Sequence, residues 1–460
     1  MGEWSGTILV LGLGASGQAA AEWALDQAAA GAELRVIVVD SARDADLETR
    51  ADGLRARGAE VHLGATEVPP ADLVVASPGV KPTSPLMEAA RSIGAPLISE
   101  IELAYRVSSV PWVAVTGTNG KTTTTALIAH VLREAGFAAE PVGNFGPPAV
   151  RAAAEAGSAG VLVAEVSSFQ LALVERFHPR VAVLLNITPD HLDYHGSLQA
   201  YATAKARVFA NLGPGDAAVI DVDDEGSAPY ADEVPATGAD VYRVSRAAPQ
   251  RRGAYLEGDR LTLADRGATV ALLSVGDLTI KGHHNVSNAL AAAAVAHALG
   301  ADPDSICRGL AGFAPIEHRL EPAGIVDGAE YFNDSKATNP DAVAKALTAF
   351  EDRSVVLLLG GRNKGVPLRP LAEVVAACCR DVVLFGEAAP EFEAAFAGLN
   401  VERTRAAGLA EAVAAARGLA CPGEVVLLSP GCASFDEFDN YMARGSRFKE
   451  LVFAMGEADS

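Results

Sequence analysis

One stretch constrains this chain more than any other: Pro111-Trp112-Val113-Ala114-Val115-Thr116-Gly117-Thr118-Asn119-Gly120-Lys121-Thr122-Thr123-Thr124. Its apolar run reads as a buried strand, Gly117 to Gly120 as a turn, and Gly-Lys-Thr as the opening of a helix that runs through Ala126-Leu127-Ile128 toward Gly136. Strand, glycine loop, lysine, hydroxyl and helix is the arrangement that cradles phosphates. Loop amides and the helix N-terminus point at anionic oxygens, the lysine reaches the β/γ-phosphates, and the hydroxyl takes Mg²⁺. The general pattern asks for glycine at position 115, where this chain has Val115, and its glycine is Gly117 instead. A glycine turn followed by a surface lysine is the plainer alternative.

At 460 residues, half of them hydrophobic, the chain has room for two to four domains with sizeable cores. Its net charge of −21, without basic runs, argues against nucleic acid as a partner, because phosphate-backbone binding rests on Lys and Arg. The five cysteines, Cys307, Cys378, Cys379, Cys421 and Cys432, are odd in number and form no C-x-x-C, the usage of reduced thiols in a cytoplasmic protein. Ile8 to Leu13 is apolar but has no basic segment before it, so no signal peptide is expected. No apolar run reaches the ~18 residues of a membrane span, so no membrane insertion is expected either.

Along the chain, residues 1 to about 100 alternate strands and helices, the pattern of a small doubly wound domain. Gly12-x-Gly14-x-x-Gly17 is a full dinucleotide fingerprint between a strand and a helix, with Asp40 near the spacing of a ribose partner. These glycines say only that a pyrophosphate sits on a helix N-terminus. A UDP-sugar supplies one as well as NAD does, and the second nucleotide loop downstream favours the UDP-sugar. Residues 101–314 carry the phosphate loop. Two of their buried strands end in polar groups, one at Glu165-Val166-Ser167-Ser168-Phe169-Gln170 and the other at Asn186-Ile187-Thr188-Pro189-Asp190-His191. Such groups at strand carboxyl ends, beside a phosphate loop, mark where an α/β site lies. Glu165 could hold the loop's metal or a water beside it, against the alternative of a solvated strand end. His191 could bind a metal as neutral imidazole. Ser197 starts a helix that carries Lys205, the strand-rich stretch 217–278 shows no chemistry, and Gly282-His283-His284-Asn285-Val286-Ser287-Asn288 opens an Ala-rich helix that ends near Gly300. Residues 315–460 repeat the strand–helix alternation, each strand ending in small or polar residues. No base stands beside Cys432, so a reactive thiol is not expected there.

The phosphate-loop variant, Glu165-Val-Ser-Ser-Phe-Gln, Asp190-His191-Leu-Asp, Tyr201-x-x-x-Lys205, His284-Asn285-x-x-Asn288, Glu317-His318-Arg319 and Asp334-Ser335-Lys336-Ala337-Thr338-Asn339-Pro340 follow one another in the order found in Mur ligases. Across nearly its whole length the chain resembles that family. The 334–340 segment, Gly-Gly-x-x-Lys364-Gly and Ser-Pro-x-x-Ala-Ser434-Phe-Asp-x-Phe are similar to the branch that adds D-glutamate.

The resemblance implies an α/β protein of three domains: a Rossmann-like domain 1–100 for a UDP-sugar, a P-loop ATPase-like domain 101–314, and a Rossmann-like domain 315–460 for the amino acid. It implies a ligase that activates a carboxylate with ATP as an acyl phosphate, acting on small molecules as a monomer. Thr118, Asn119, Gly120, Lys121, Thr122, Thr123 and Thr124 would cradle the phosphates, with Asn285 and Asn288 on adenine and Arg319 and Asp334 also on ATP. Thr122 and Glu165 would hold one Mg²⁺, and His191 with a carbamylated Lys205 a second. Lys121, Glu165, His191 and Lys205 would form the catalytic set. Gly14, Ser16, Ser77, Gly79, Asn144 and Ser167 would meet the UDP-sugar, and Lys336, Thr338, Lys364, Ser434 and Tyr441 the D-glutamate. Substrates arriving from three domains imply closure over ATP. Two departures stand out: Asp40-Ser41-Ala42 lacks the arginine that many members place there, and Tyr441 stands where phenylalanine is also seen. Rival readings are another amide ligase with the same loop, such as an L-alanine-adding member or a folylpolyglutamate synthetase, and a nucleotide-binding or NAD-dependent protein built on the first domain.

Overall fold

Runs such as Ile8-Leu9-Val10-Leu11, Val161-Leu162-Val163-Ala164 and Val425-Val426-Leu427-Leu428 are apolar without alternation, as expected of strands covered on both faces. In the computed structural model, which describes residues 4–157, 160–280, 282–314, 316–350 and 354–457, these runs are almost fully buried inner strands of three sheets. The third-domain boundary expected at residue 315 falls outside the described residues.

The first sheet holds β1 (Gly6–Leu11), β2 (Leu34–Asp40), β3 (Glu60–Leu63), β4 (Leu73–Ala76) and β5 (Leu97–Ser99), all parallel, in the order β3-β2-β1-β4-β5. The second has nine strands. They are β6 (Trp112–Thr116), β7 (Ala138–Gly143), β8 (Gly160–Glu165), β9 (Val181–Leu184), β10 (Ala217–Asp221), β11 (Asp240–Ser245), β12 (Gly253–Glu257), β13 (Arg260–Asp265) and β14 (Ala268–Ser274). Their order is β14-β13-β12-β11-β10-β9-β6-β8-β7. The stretch in which the sequence shows no chemistry thus extends this sheet, first with parallel strands and then with two antiparallel pairings. The third sheet is β15 (Glu321–Val326), β16 (Ala329–Asn333), β17 (Val355–Gly360), β18 (Asp381–Phe385), β19 (Glu402–Arg405) and β20 (Val425–Gly431), ordered β15-β16-β20-β17-β18-β19.

By contact the chain forms two compact units, Met1–Asp277 with Ser287–Ala311, and Leu278–Val286 with Gly312–Ser460. The first two sheets share a unit because one apolar core runs from Trp23, Ala24 and Val36 to Ala152, Trp112 and Phe177. Within that unit Glu100, fully buried, accepts the backbone N–H of Val150 at 2.7 Å, and its second oxygen Oε2 has no partner. All five cysteines are free. Among the described residues no helix is long and apolar enough to cross a membrane.

Candidate active site

The order of the second sheet reverses at β6, which lies between β8 and β9, and a crevice at such a switch point is where open α/β sheets bind ligands. β6 runs into the turn 117–120 and then the helix Lys121–Glu134. Gly120 has φ +83°, and a β-carbon there would come 2.6 Å from Oδ1 of Asn288, so only glycine fits. The loop is braced from β9: Thr118 N–H donates to Asn186 O at 2.9 Å, Asn119 N–H to Asn186 Oδ1 at 2.8 Å, and the Thr118 hydroxyl to Thr188 O at 3.1 Å. Lys121 Nζ donates to the carbonyls of Gly117 and Thr118 at 2.9 and 2.8 Å, coiled over its own loop. Thr122 opens the helix partly exposed, with Thr123 and Thr124 buried behind it.

β8 pairs with β6 so that Glu165 stands opposite Val115, one residue before the loop strand ends. Glu165 is buried and its Oε2 makes no hydrogen bond. A buried, unpaired carboxylate oxygen is costly, and a cation beside it removes the cost. A carboxylate oxygen and a threonine hydroxyl such as that of Thr122 are hard oxygen donors of the kind that suit Mg²⁺. Lys205 lies on the helix Leu198–Ala206, capped by the Ser197 side chain. It is 1% exposed, donates to Gly117 O at 2.7 Å, and sits 4.5 Å from the centre of the Tyr201 ring. Burial holds the Lys205 amine well below its usual range. The positive charge of Lys121 adds to that, against the opposing pull of Asp190 and Glu165. Lys121, Lys205, Glu165 and Asp190 therefore share one electrostatic neighbourhood. His191, with φ +51°, is 42% exposed at its side chain, packs edge-on against Phe169 at 4.9 Å, and has Nε2 3.7 Å from Asp190 Oδ2. Sequence reasoning did not single out Asp190 or the Tyr201 hydroxyl, which reaches Thr118 Oγ1 at 3.3 Å. The signal for both lay in motifs read for their neighbours.

In the first sheet the strand order reverses at β1, where Gly12-x-Gly14 leads into the helix Ala15–Ala29. A β-carbon on Gly17 would fall 1.9 Å from Gly12 O, so this glycine lets the helix close on the strand end. A cavity of about 680 Å³ opens here, and Gly14, Ser16, Ser77 and Gly79 line it together with Lys81 and Thr83, which the sequence did not mark as site residues. Asp40 also lines it, but each of its carboxylate oxygens already accepts a loop amide, from Leu13 at 2.7 Å and Ala42 at 2.8 Å. These two bonds close the loop and leave each oxygen a further acceptor site. Asn144 and Ser167 are not among the residues lining this cavity. Asn144 N–H donates to Glu165 O at 3.2 Å and Ser167 caps the turn that follows β8, so both stand at the Glu165 end.

In the second unit three loops converge at the carboxyl ends of β16, β17 and β20. Gly431 N–H donates to Ala337 O at 2.9 Å, and Arg362 and Ala433 exchange backbone hydrogen bonds at 2.7 and 3.0 Å. This brings the Lys336–Thr338 turn, the Lys364 loop and Ser434 to one edge. Lys336 Nζ lies 3.8 Å from the Tyr441 ring centre, Ser434 is buried, and Lys364 is exposed. Asp334 is buried, accepts the Ser429 hydroxyl at 2.7 Å, and has its carboxyl pushed up to about 7 by burial, with Arg319 nearby pulling the other way. Asn285 and Asn288 lie one turn apart on the helix His283–Ala298, and Asn288 is the one beside Gly120.

Three family models match in succession: the Mur ligase MurD-like N-terminal domain over residues 6–99, the Mur ligase middle domain over 115–296, and the Mur ligase glutamate ligase domain over 318–432. With its relatives, they show that the chain belongs to the Mur ligase family. Among solved structures the fold is shared with a UDP-N-acetylmuramate-alanine ligase from Thermotoga maritima (TM-score 0.59, 20% identity, 98% of this chain and 99% of that one). It is shared also with a pseudomurein peptide ligase type C from Methanothermus fervidus (TM-score 0.61, 19% identity, 98% and 100% covered). More similar in sequence are proteins named UDP-N-acetylmuramoylalanine–D-glutamate ligase. That of Pelotomaculum thermopropionicum is 41% identical over 97% of both chains, and that of Koribacter versatilis 41% identical over 98% of both.

Proposed function

We propose that this protein is a cytoplasmic, monomeric, ATP-dependent ligase that joins D-glutamate to UDP-N-acetylmuramoyl-L-alanine in the synthesis of peptidoglycan precursors. The observation that carries this reading is the phosphate loop whose lysine shares one electrostatic neighbourhood with a buried unpaired carboxylate and a buried amine, Glu165 and Lys205. The names of the relatives that align end to end with the chain support the choice of substrates.

In this account the helix N-terminus at Gly14 to Ser16 takes the pyrophosphate of the UDP-sugar, with Ser77, Gly79, Asn144 and Ser167 as further contacts. Lys121 leaves the carbonyls of its own loop for the γ-phosphate oxygens of ATP. The L-alanyl carboxylate oxygen then attacks the γ-phosphorus, the bond to the bridging oxygen breaks, and ADP leaves with that electron pair. The D-glutamate amine attacks the carbonyl carbon of the resulting acyl phosphate, and inorganic phosphate departs as the amine loses its proton. Thr122 and Glu165 would hold one Mg²⁺ and His191 with Lys205 a second; these cations cancel the repulsion between carboxylate and triphosphate. As a free cation Lys205 is a poor ligand. The neutral amine that burial favours adds CO₂ and loses a proton, giving a carbamate that can ligate. Lys336 and Lys364 answer the two carboxylates of D-glutamate, with Thr338, Ser434 and Tyr441 beside them.

The reading is tested by incubating the protein with ATP, Mg²⁺, UDP-N-acetylmuramoyl-L-alanine and D-glutamate. Mass spectrometry should find the sugar nucleotide heavier by one glutamyl residue, with ADP formed in equal amount. ATP hydrolysis with no new amide would count against it.

A further inference from the structure

A second concave site lies in the first unit, at the amino ends of the central strands and so at the opposite end of the sheet from the phosphate loop. Pro111 precedes β6, Arg180 precedes β9 and Asp216 precedes β10, and all three line a cavity of about 760 Å³. β6 is five residues long, so roughly 16 Å of strand separates this cavity from Gly117. None of its lining residues has a part in the chemistry above.

Part of the lining is aromatic. Tyr105 and Trp112 meet edge to face at 6.4 Å, and Trp4 lines the same cavity while packing on Trp23 at 5.0 Å. Three cations, Arg106, Arg176 and Arg180, also line it, in a chain whose net charge is −21. Arg106 is held by Glu102 and Glu175 at 2.7 and 2.8 Å, which leaves it fixed in place. Asp216, the one acidic residue of the lining among the described residues, is occupied by His178 at 2.5 Å and Arg180 at 3.3 Å. Among the described residues Arg176 hydrogen-bonds only through its backbone N–H, to Glu102, so its guanidinium is uncommitted. Rings give a planar ligand a face to stack on, and guanidinium groups give an oxyanion paired donors. The volume falls in the range of small-molecule sites.

We propose that this cavity is an accessory binding site for a small aromatic anion, a planar ring system carrying one phosphate, sulfonate or carboxylate group. The ring lies against Tyr105 and Trp4, and the anionic group lies between Arg176 and Arg180.

The probe is 8-anilinonaphthalene-1-sulfonate, followed by its own fluorescence and by quenching of the tryptophans. The intact protein should bind it at one saturable site, and saturating MgADP with UDP should leave that binding in place. The double variant Arg176→Ala/Arg180→Ala should bind it about tenfold or more weakly with its ligase activity retained, and the uncharged ring N-phenyl-1-naphthylamine should bind the parent more weakly by a similar factor. Because Arg180 pairs with Asp216, Arg176→Ala alone is the second variant, expected to weaken binding about threefold. Unchanged affinity in both variants, displacement by the nucleotides, equal affinity for the neutral ring, or no saturable binding would each overturn the proposal.

Discussion

Lys121 donates to two carbonyls of its own loop, and a γ-phosphate would offer its ammonium anionic oxygens in their place. Lys121→Ala should therefore cut ADP formation by about a hundredfold or more, measured by coupled assay, and activity within about tenfold of the parent would remove Lys121 from the machinery. Lys364 is exposed, at the edge where Ser434 and Thr338 gather. Lys364→Ala should raise the KM for D-glutamate far more than that for ATP, and an equal rise in both would take it out of the amino-acid pocket. Protein equilibrated with ¹³C-bicarbonate should show a carbamate carbonyl resonance that Lys205→Ala lacks. At this scale the sequence was most legible where a residue sits in a dense motif. Lys121, Glu165 and Lys205 were readable from their neighbours. Lys81 and Thr83 were not, because nothing in Gly79-Val80-Lys81-Pro82-Thr83 distinguishes residues of a cavity wall from a solvated turn.

Among elements, the phosphate loop depends on backbone that only glycine adopts at Gly120. Gly120→Ala pushes a methyl group toward Asn288 Oδ1 in a left-handed conformation, and it should weaken nucleotide binding, read by titration with MgADP, more than it lowers the melting temperature. The buried Glu100 makes a second element-level prediction. Burial pushes its carboxyl up to about 7, from 4.5 when solvated, although the Val150 and Ala149 amides favour the charged form. Between those values the folded protein holds a proton that the unfolded chain has lost. The contribution of Glu100 to stability is thus largest at low pH and falls as pH rises toward 7. Glu100→Gln removes this term, so the melting temperature of the parent relative to the variant should be higher at pH 5.5 than at pH 8. A difference independent of pH would contradict the raised value. The inner strands β1, β6, β8, β17 and β20 were legible as unbroken apolar runs. β3, β5, β7 and β19 were not, and each lies at an edge of its sheet, where one side is open and apolar character relaxes. β7 even carries Glu140 and Pro141, tolerable because an edge strand need not use every backbone donor.

For the whole molecule, each of the three sheets carries the loops of its proposed site where strand order reverses: Gly12–Ser16 after β1, Gly117–Thr122 after β6, and the 360–365 and 431–436 loops after β17 and β20. Strand–helix alternation made this legible, since a parallel sheet puts every strand's carboxyl end on one side. The merging of the first two sheets into one unit was not legible. It depends on small residues such as Ala20, Ala24, Ala149 and Ala153, which read in sequence as ordinary helix formers and in the structure as a shared core. The central claim, that this chain activates an L-alanyl carboxylate and delivers it to D-glutamate, is tested most directly by phosphate release from ATP with UDP-N-acetylmuramoyl-L-alanine, offering D-glutamate, L-glutamate, L-alanine and L-lysine in parallel. Turnover with D-glutamate alone is the predicted result; turnover with another of these amino acids, or with none, would contradict it.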